Sequence, residues 1–316
     1  DGDGLQEIVH VSPTYEISVF QTGSTGKASF QQALPGEFPT FMNVTCGDAD
    51  NDGEPEIAIA MGTRAALLEW QEGRFVETWR SPARGGHRIQ SLTIADADGD
   101  GLNELLLPIQ GAGLYIYDKH SGDWNFTRAE IPGQGTPMDA RKVQAAQSPA
   151  IEKGYEDFNY VVAVGDINPL DDDGPEILGG LWRNLVLYKA VGNEYRMIQE
   201  LEVGFPVFVT NIAIADLDGD RKPEIMGGAS EFVKIFSKDA GDWALRQTLS
   251  MGGLRDPLRA FDIDNDGKDE IGLIGSSAFN PSTGGVTIFT TSGGKLERSY
   301  NVPFGDGHVQ YNIGRE

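Results

Sequence analysis

Three aspartates on alternate residues, followed by a glutamate, recur through the chain. The set Asp48, Asp50, Asp52 and Glu56 is repeated as Asp96, Asp98, Asp100 and Glu104, as Asp216, Asp218, Asp220 and Glu224, and as Asp262, Asp264, Asp266 and Glu270. Carboxylates at that spacing repel one another unless a cation lies among them. Alternate side chains of a tight loop converge on one side, and a glutamate at the start of the next strand can close the shell. An all-oxygen donor set of this size suits Ca2+, which takes about six to eight oxygens, whereas zinc would call for His or Cys. An EF-hand is the obvious rival. Its glutamate, however, lies further beyond the glycine than Glu56 lies beyond Gly53, and a strand pattern follows here in place of a helix.

Two further copies depart from the pattern. "DINPLDDDGPEI" is longer, so its ligands are expected to be Asp166, Asn168, Asp173 and Glu176, with Asp171 and Asp172 nearby. The chain opens inside another copy that retains Asp1, Asp3 and Glu7. Arg315 aligns with the leading aspartate of that copy, where an arginine could stand in for a metal. Five occupied sites would offset about 10 of the net 23 negative charges, at two per Ca2+. Each site is closed by protein ligands, so a structural role is expected and no catalytic residue is assigned.

The elements that must position these loops are strands. The closing acids Glu7, Glu56, Glu104, Glu176, Glu224 and Glu270 recur at about 48 residues, with one longer interval after Glu104. Each is preceded by a short apolar run such as "SLTIAD" or "NIAIAD" and followed by another such as "EIAIAMG" or "EIMGGA". A third run carries an aromatic ("LYIY", "LVLY", "VKIF") and a fourth leads into the next copy. Apolar runs of this length, bounded by Gly, Asp, Asn and Pro, read as strands. Four strands per repeat is the arithmetic of a propeller blade. The reading is an all-β, six-bladed β-propeller occupying 1–316 as one domain, or seven blades if terminal residues are missing. The tail "HVQYNIGRE" is expected to supply the strand that the N-terminal blade lacks and so close the ring, removing open sheet edges. The long interval contains a polar insertion, 133–158, with a short helix expected after Thr136.

The motifs "GDADNDGEPEI", "IADADGDGLNEL", "IADLDGDRKPEI" and "FDIDNDGKDEI" resemble the FG-GAP or VCBS repeats of integrin-alpha-like propellers, and the resemblance covers nearly the whole chain. It implies a propeller with Ca2+ in the hairpin between the first and second strands of a blade. Arg221 departs from the glycine found at that place in the other copies, which is expected to strain the turn without removing a ligand.

A net charge of −23 argues against nucleic-acid binding, and no apolar stretch is long enough for a membrane-spanning helix. The single cysteine, Cys46, cannot form an intrachain disulfide and is expected to be a buried structural thiol. Asn43 and Asn125 head glycosylation sequons, Asn43 on an expected inner strand. If calcium rigidifies one face, the opposite face is left for recognition. Its loops carry Arg64, Arg84, His87, Arg88, Trp182, Arg183, Arg255, Arg259, Phe279 and His308. The expectation is a secreted or cell-surface recognition or adhesion module that binds a glycan or an extracellular protein. A self-assembling structural subunit and a polysaccharide lyase acting on an acidic polymer are the alternatives. No nucleophile elbow, phosphate loop or dinucleotide fingerprint announces an enzyme.

Overall fold

A computed structural model describes residues 7–11, 16–21, 29–34, 43–83, 89, 91–109, 113–120, 122–129, 159–167, 174–181, 184–201, 203, 209–229, 232–239, 241–250, 258–262, 266–275, 285–292 and 295–303. Every named element among them is a strand. The first sheet contains β1 (Glu7–Val11), β2 (Glu16–Gln21) and β3 (Phe30–Ala33). Five four-stranded sheets follow. The second comprises β4 (Val44–Gly47), β5 (Glu56–Met61), β6 (Arg64–Gln71) and β7 (Arg74–Arg80), and the third β8 (Thr93–Ala95), β9 (Glu104–Ile109), β10 (Gly113–His120) and β11 (Asp123–Arg128). The fourth has β12 (Asn159–Gly165), β13 (Glu176–Leu181), β14 (Asn184–Val191) and β15 (Glu194–Leu201). The fifth has β16 (Asn211–Ala215), β17 (Glu224–Ala229), β18 (Phe232–Asp239) and β19 (Asp242–Ser250), and the sixth β20 (Leu258–Phe261), β21 (Glu270–Gly275), β22 (Gly285–Ser292) and β23 (Lys295–Pro303). Within each sheet, strands pair antiparallel with their chain neighbours. These six sheets are the blades of an all-β propeller, as the repeat predicts. The expected closing strand, 308–316, and the insertion with its helix lie outside the described residues.

The second strand of a blade explains why its sequence reads as a continuous apolar run rather than an alternation. Every residue of β5, β9 and β17 is buried, because a blade is covered on both faces by its neighbours. The core therefore lies between blades. One cluster joins Ile17 of the first blade to Ile57 and Ile59 of the second, and another joins Leu67 to Leu105 and Leu107 of the third. Leu106 and Ile116 meet Ile177 and Tyr188, Leu178 and Leu187 meet Ile225, and Met226 and Ile235 meet Ile271 and Phe289. Fully burying each such side chain contributes about 1.5–3 kcal/mol, so successive blades stabilise one another.

The outer strands twist away through a recurring irregularity. A register shift falls between Leu67 and Leu68, Leu187 and Tyr188, Ile235 and Phe236, and Ile288 and Phe289, at matching places on the third strands of four blades. A bulge there increases the local twist and bends the exposed outer strand.

Candidate metal centre

The acidic loops connect first to second strands, and their residue types follow from the turn. In the second blade the leading carboxylate, Asp48, accepts the backbone N–H groups of Asp52 (3.1 Å) and Gly53 (3.0 Å). Asp96 does the same for Gly99 (2.7 Å) and Gly101 (3.0 Å), and Asp216 for Gly219 (2.8 Å) and Arg221 (2.8 Å). Closing the chain this tightly needs left-handed backbone at two places. The first is taken by Asn51 (φ 62°), Gly99 (83°) and Gly219 (77°), and the second by Gly53 (95°), Gly101 (88°), Gly267 (85°) and Arg221 (66°). Asn and Gly tolerate that region and arginine does not, so the strained turn expected at Arg221 is present.

The closing glutamate serves two purposes. One oxygen, Oε2, accepts the N–H of the residue after the leading aspartate, pinning the hairpin: Ala49 to Glu56 (2.7 Å), Ala97 to Glu104 (2.7 Å), Ile167 to Glu176 (3.0 Å) and Leu217 to Glu224 (3.0 Å). The carboxylate also joins a cluster of acids in three of the loops. In Asp48, Asp50, Asp52 and Glu56 one oxygen from each lies within 4.8 Å of the others, and the same holds for Asp96, Asp98 and Glu104, and for Asp216, Asp218 and Glu224. Asp100 and Asp220 stay in their loops, accepting the N–H of Leu102 and Lys222 (2.8 Å each). Glu56 and Glu104 are each 1% exposed, yet Oε1 of both, and Oδ1 of Asp50, have no hydrogen-bond partner. A buried carboxylate oxygen without a partner costs about 1–3 kcal/mol or more, and it points to a cation. Burial, reinforced by the neighbouring aspartates, pushes Glu56 up to about 7 and Glu104 up to about 8.

Basic side chains enter some loops, a feature the sequence reading missed. In the second blade Lys119, reaching over from the third, pairs with Oδ2 of Asp50 and leaves Glu56 Oε1 without a partner. In the fourth blade the buried Lys189 Nζ donates to Glu176 Oε1 (2.7 Å) and to the carbonyl of Gly174 (2.6 Å). In the fifth, Arg246 Nη1 pairs with Asp218 Oδ2 (2.9 Å) and with Glu224 Oε1. A further acid was also missed. Asp118 pairs in register with Glu104, and its charge helps raise both Glu104 and Asp98. These residues lie just past the aromatic of the third strand, or on the fourth, and strand register or contact between blades brings them to the loop.

The loops also brace one another. Asn51 Oδ1 accepts the N–H of Asn103 (2.7 Å), Asn51 Nδ2 donates to the Asn103 carbonyl (3.1 Å), and Asn103 Nδ2 donates to the Asp48 carbonyl (2.8 Å). Asp269 and Asp216 are clipped in the same way, through Asp269 N to Asp216 O (2.8 Å) and Asp216 N to Asp269 Oδ2 (3.0 Å). The motif residues are thus joined between the second and third blades and between the fifth and sixth.

Several expected site residues, Asp1, Asp3, Asn168, Asp171, Asp172, Asp173, Asp264 and Arg315, lie outside the described residues, as does the side chain of Glu7. In the sixth blade Asp262 accepts the N–H groups of Asp266 and Gly267 (3.1 Å each), and Glu270 is buried. On the expected recognition face, Arg64 is exposed at the start of β6, and Arg259 is half-buried on β20 with its guanidinium drawn down by burial. Arg84, His87, Arg88, Trp182, Arg183, Arg255, Phe279 and His308 lie outside the described residues. Cys46 corrects the expectation of a buried thiol: on the first strand of its blade it is reached by solvent. Neighbouring atoms still enclose the sulfur enough to push it up to about 12, so it is no thiolate nucleophile at neutral pH. Asn43 falls immediately before β4. No helix among the described residues is long and apolar enough to cross a membrane.

Fold and site together define a β-propeller with acidic hairpins that could hold metal ions. Residues 50–107, from the acidic loop of the second blade to β9, match the family model described as FG-GAP-like repeat. The chain is similar in structure to the β-propeller domain of Cps50 (Swd1) from Myceliophteria thermophila, at 10% identity and a TM-score of 0.58, covering 92% of this chain and 82% of that one. It is also similar to a candidate 6-phosphogluconolactonase from Bacteroides uniformis, at 14% identity and a TM-score of 0.60, covering 98% of this chain and 86% of that one. Among curated proteins, none matches. The chain is a β-propeller that carries an FG-GAP-like repeat over residues 50–107.

Proposed function

We propose that this chain is a calcium-stabilised recognition scaffold, metal-braced at one end of the propeller and binding a glycan or protein partner outside the cell at the other. The observation that carries the calcium reading is the pair of buried, unpartnered oxygens, Glu56 Oε1 and Glu104 Oε1, each on a glutamate that offers an oxygen within 4.8 Å of aspartates of its own loop. The donors are all hard oxygens, with neither His nor Cys among them, which favours Ca2+ over a softer metal. Asp48, Asp50, Asp52 and Glu56 would hold one ion, and Asp96, Asp98 and Glu104, with Asp118 alongside, another. Bound calcium supplies positive charge that the third-blade carboxylates lack and that Lys119 supplies only in part in the second blade. Because each glutamate already pins its hairpin through Oε2, filling the site ties the first strand of a blade to its second.

Topology supports the recognition part of the reading. In an antiparallel blade the loop between strands one and two lies at the opposite end from the loop between strands two and three. The exposed Arg64 begins the strand after the latter loop, away from the acidic hairpins. Titrating calcium into EGTA-stripped protein by calorimetry tests the metal reading: saturable binding is expected, and its loss from a Glu56→Gln, Glu104→Gln double variant. No heat and no bound ion at millimolar calcium would sink it. A panel of immobilised glycans and matrix proteins tests the rest, with any retained ligand expected to be weakened by Arg64→Glu. Retention unaffected by that change would move recognition off this face.

A further inference from the structure

The acidic hairpins share one design but differ in what answers their charge. Each closing glutamate in the second to fifth blades spends Oε2 on a backbone N–H, so Oε1 reports what the site holds. In the second and third blades that oxygen has no partner. In the fourth it receives Lys189 Nζ at 2.7 Å, and in the fifth it receives Arg246.

Lys189 occupies an informative register position. It pairs with Glu176 across β13 and β14, as Asp118 pairs with Glu104 across β9 and β10. That position thus carries an acid in the third blade, where the glutamate oxygen is unpartnered, and a base in the fourth, where it is satisfied. Lys189 is buried, its second bond goes to a loop carbonyl, Gly174 O, and Glu176 is only 5% exposed. A carboxylate oxygen and a loop carbonyl are the kinds of donor that a calcium ion would draw from such a hairpin. A divalent ion there would meet the ammonium charge at close range in a poorly solvated site, where like-charge repulsion is strong.

We infer that Lys189 is a tethered counter-cation that takes the place of the metal in the fourth blade, so this hairpin is held without calcium while its neighbour in the third blade requires it. The inference rests on the calcium reading of the other loops. Arg246 extends the pattern to the fifth blade, where the guanidinium spans Asp218 and Glu224 and competes for the same oxygens. The family pattern implies calcium at every intact hairpin. Here the described donors of the fourth blade, Glu176 Oε1 and the Gly174 carbonyl, are already taken by Lys189.

The test is a pair of opposite substitutions at the shared register position, with bound calcium counted by atomic emission after equilibrium dialysis of the full chain. Lys189→Gln is expected to gain one calcium per chain and to lose it again when combined with Glu176→Gln. Its melting temperature in EGTA should fall below that of the parent and be restored by calcium, since the cation it lost can be replaced. A folded Lys189→Gln protein with an unchanged count overturns the inference. If that variant does not fold even in calcium, Asp118→Lys decides, because it installs the tethered cation in the third blade. Loss of one calcium supports the inference, and an unchanged count overturns it. A parent protein that binds no calcium at all removes the calcium reading itself, and the inference with it. A parent that binds calcium alongside unresponsive variants removes the inference alone.

Discussion

Replacing Glu104 by Gln should reverse its effect on stability according to whether calcium is present. Without metal, burial and Asp98, Asp118 and Asp96 push Glu104 up to about 8 in the folded protein, whereas in the unfolded chain it ionises near 4.5. A group raised on folding contributes stability that is fully present below its unfolded value and is lost as pH rises through its folded value. At pH 7 the loss is on the order of 3 kcal/mol, from ~1.4 kcal/mol for each pH unit above 4.5. Glutamine carries no charge and escapes this penalty. It keeps an oxygen for the Ala97 N–H but brings an amide that needs partners, which discounts the gain to about 1–2 kcal/mol. With calcium present the balance inverts, because a site filled at a thousandfold over its Kd stabilises by about 4 kcal/mol and the variant forfeits most of that. Differential scanning calorimetry at neutral pH should therefore show Glu104→Gln melting a few degrees above the parent in EGTA and below it in millimolar calcium. A variant less stable than the parent in both conditions would refute the reasoning and make Glu104 an ordinary buried hydrogen-bonding residue.

The pH dependence of the metal-free parent should follow the same sign. Glu56, pushed up to about 7, and Glu104, pushed up to about 8, make stability in EGTA decline from about pH 5 to pH 8, and calcium should abolish that decline in urea titrations across the range. Gly99→Ala should lower the urea midpoint by an amount worth about 1–3 kcal/mol, since φ is +83° and an added Cβ would sit 3.2 Å from Pro175 Cδ of the next blade. Arg221→Gly should raise the midpoint, by up to about 1 kcal/mol, by relieving left-handed backbone at φ 66° without touching a ligand oxygen. A fall would show that the arginine side chain matters more than the turn.

The blades were legible because their signal is periodic. Short apolar runs, each tied to a Gly-rich acidic loop and a trailing glutamate, mark the first and second strands, and the structure shows why the second runs are apolar throughout: β5, β9 and β17 are covered on both faces. The roles of Asp48, Asp96 and Asp216 as loop caps, and of Asn51, Gly99 and Gly219 as left-handed residues, follow from the same short motif. What escaped the sequence was whatever depends on register between strands or contact between blades. Lys189 and Asp118 look like ordinary charged residues after an aromatic, and nothing local shows that both sit opposite a closing glutamate. Lys119 answers Asp50 from another blade, and Arg246 reaches Glu224 from the outermost strand of its own. Cys46 was misjudged because the apolar run around it reads as core, whereas on its strand the residue is exposed.

We read the acidic hairpins as calcium sites that hold the propeller together. Measuring bound calcium and thermal unfolding on one sample, before and after EGTA, tests that reading most directly. At least two calcium ions per chain are expected, matching the unpartnered glutamates of the second and third blades, with a large drop in melting temperature on chelation that calcium restores. A chain that holds no calcium and melts at the same temperature with and without EGTA would contradict it.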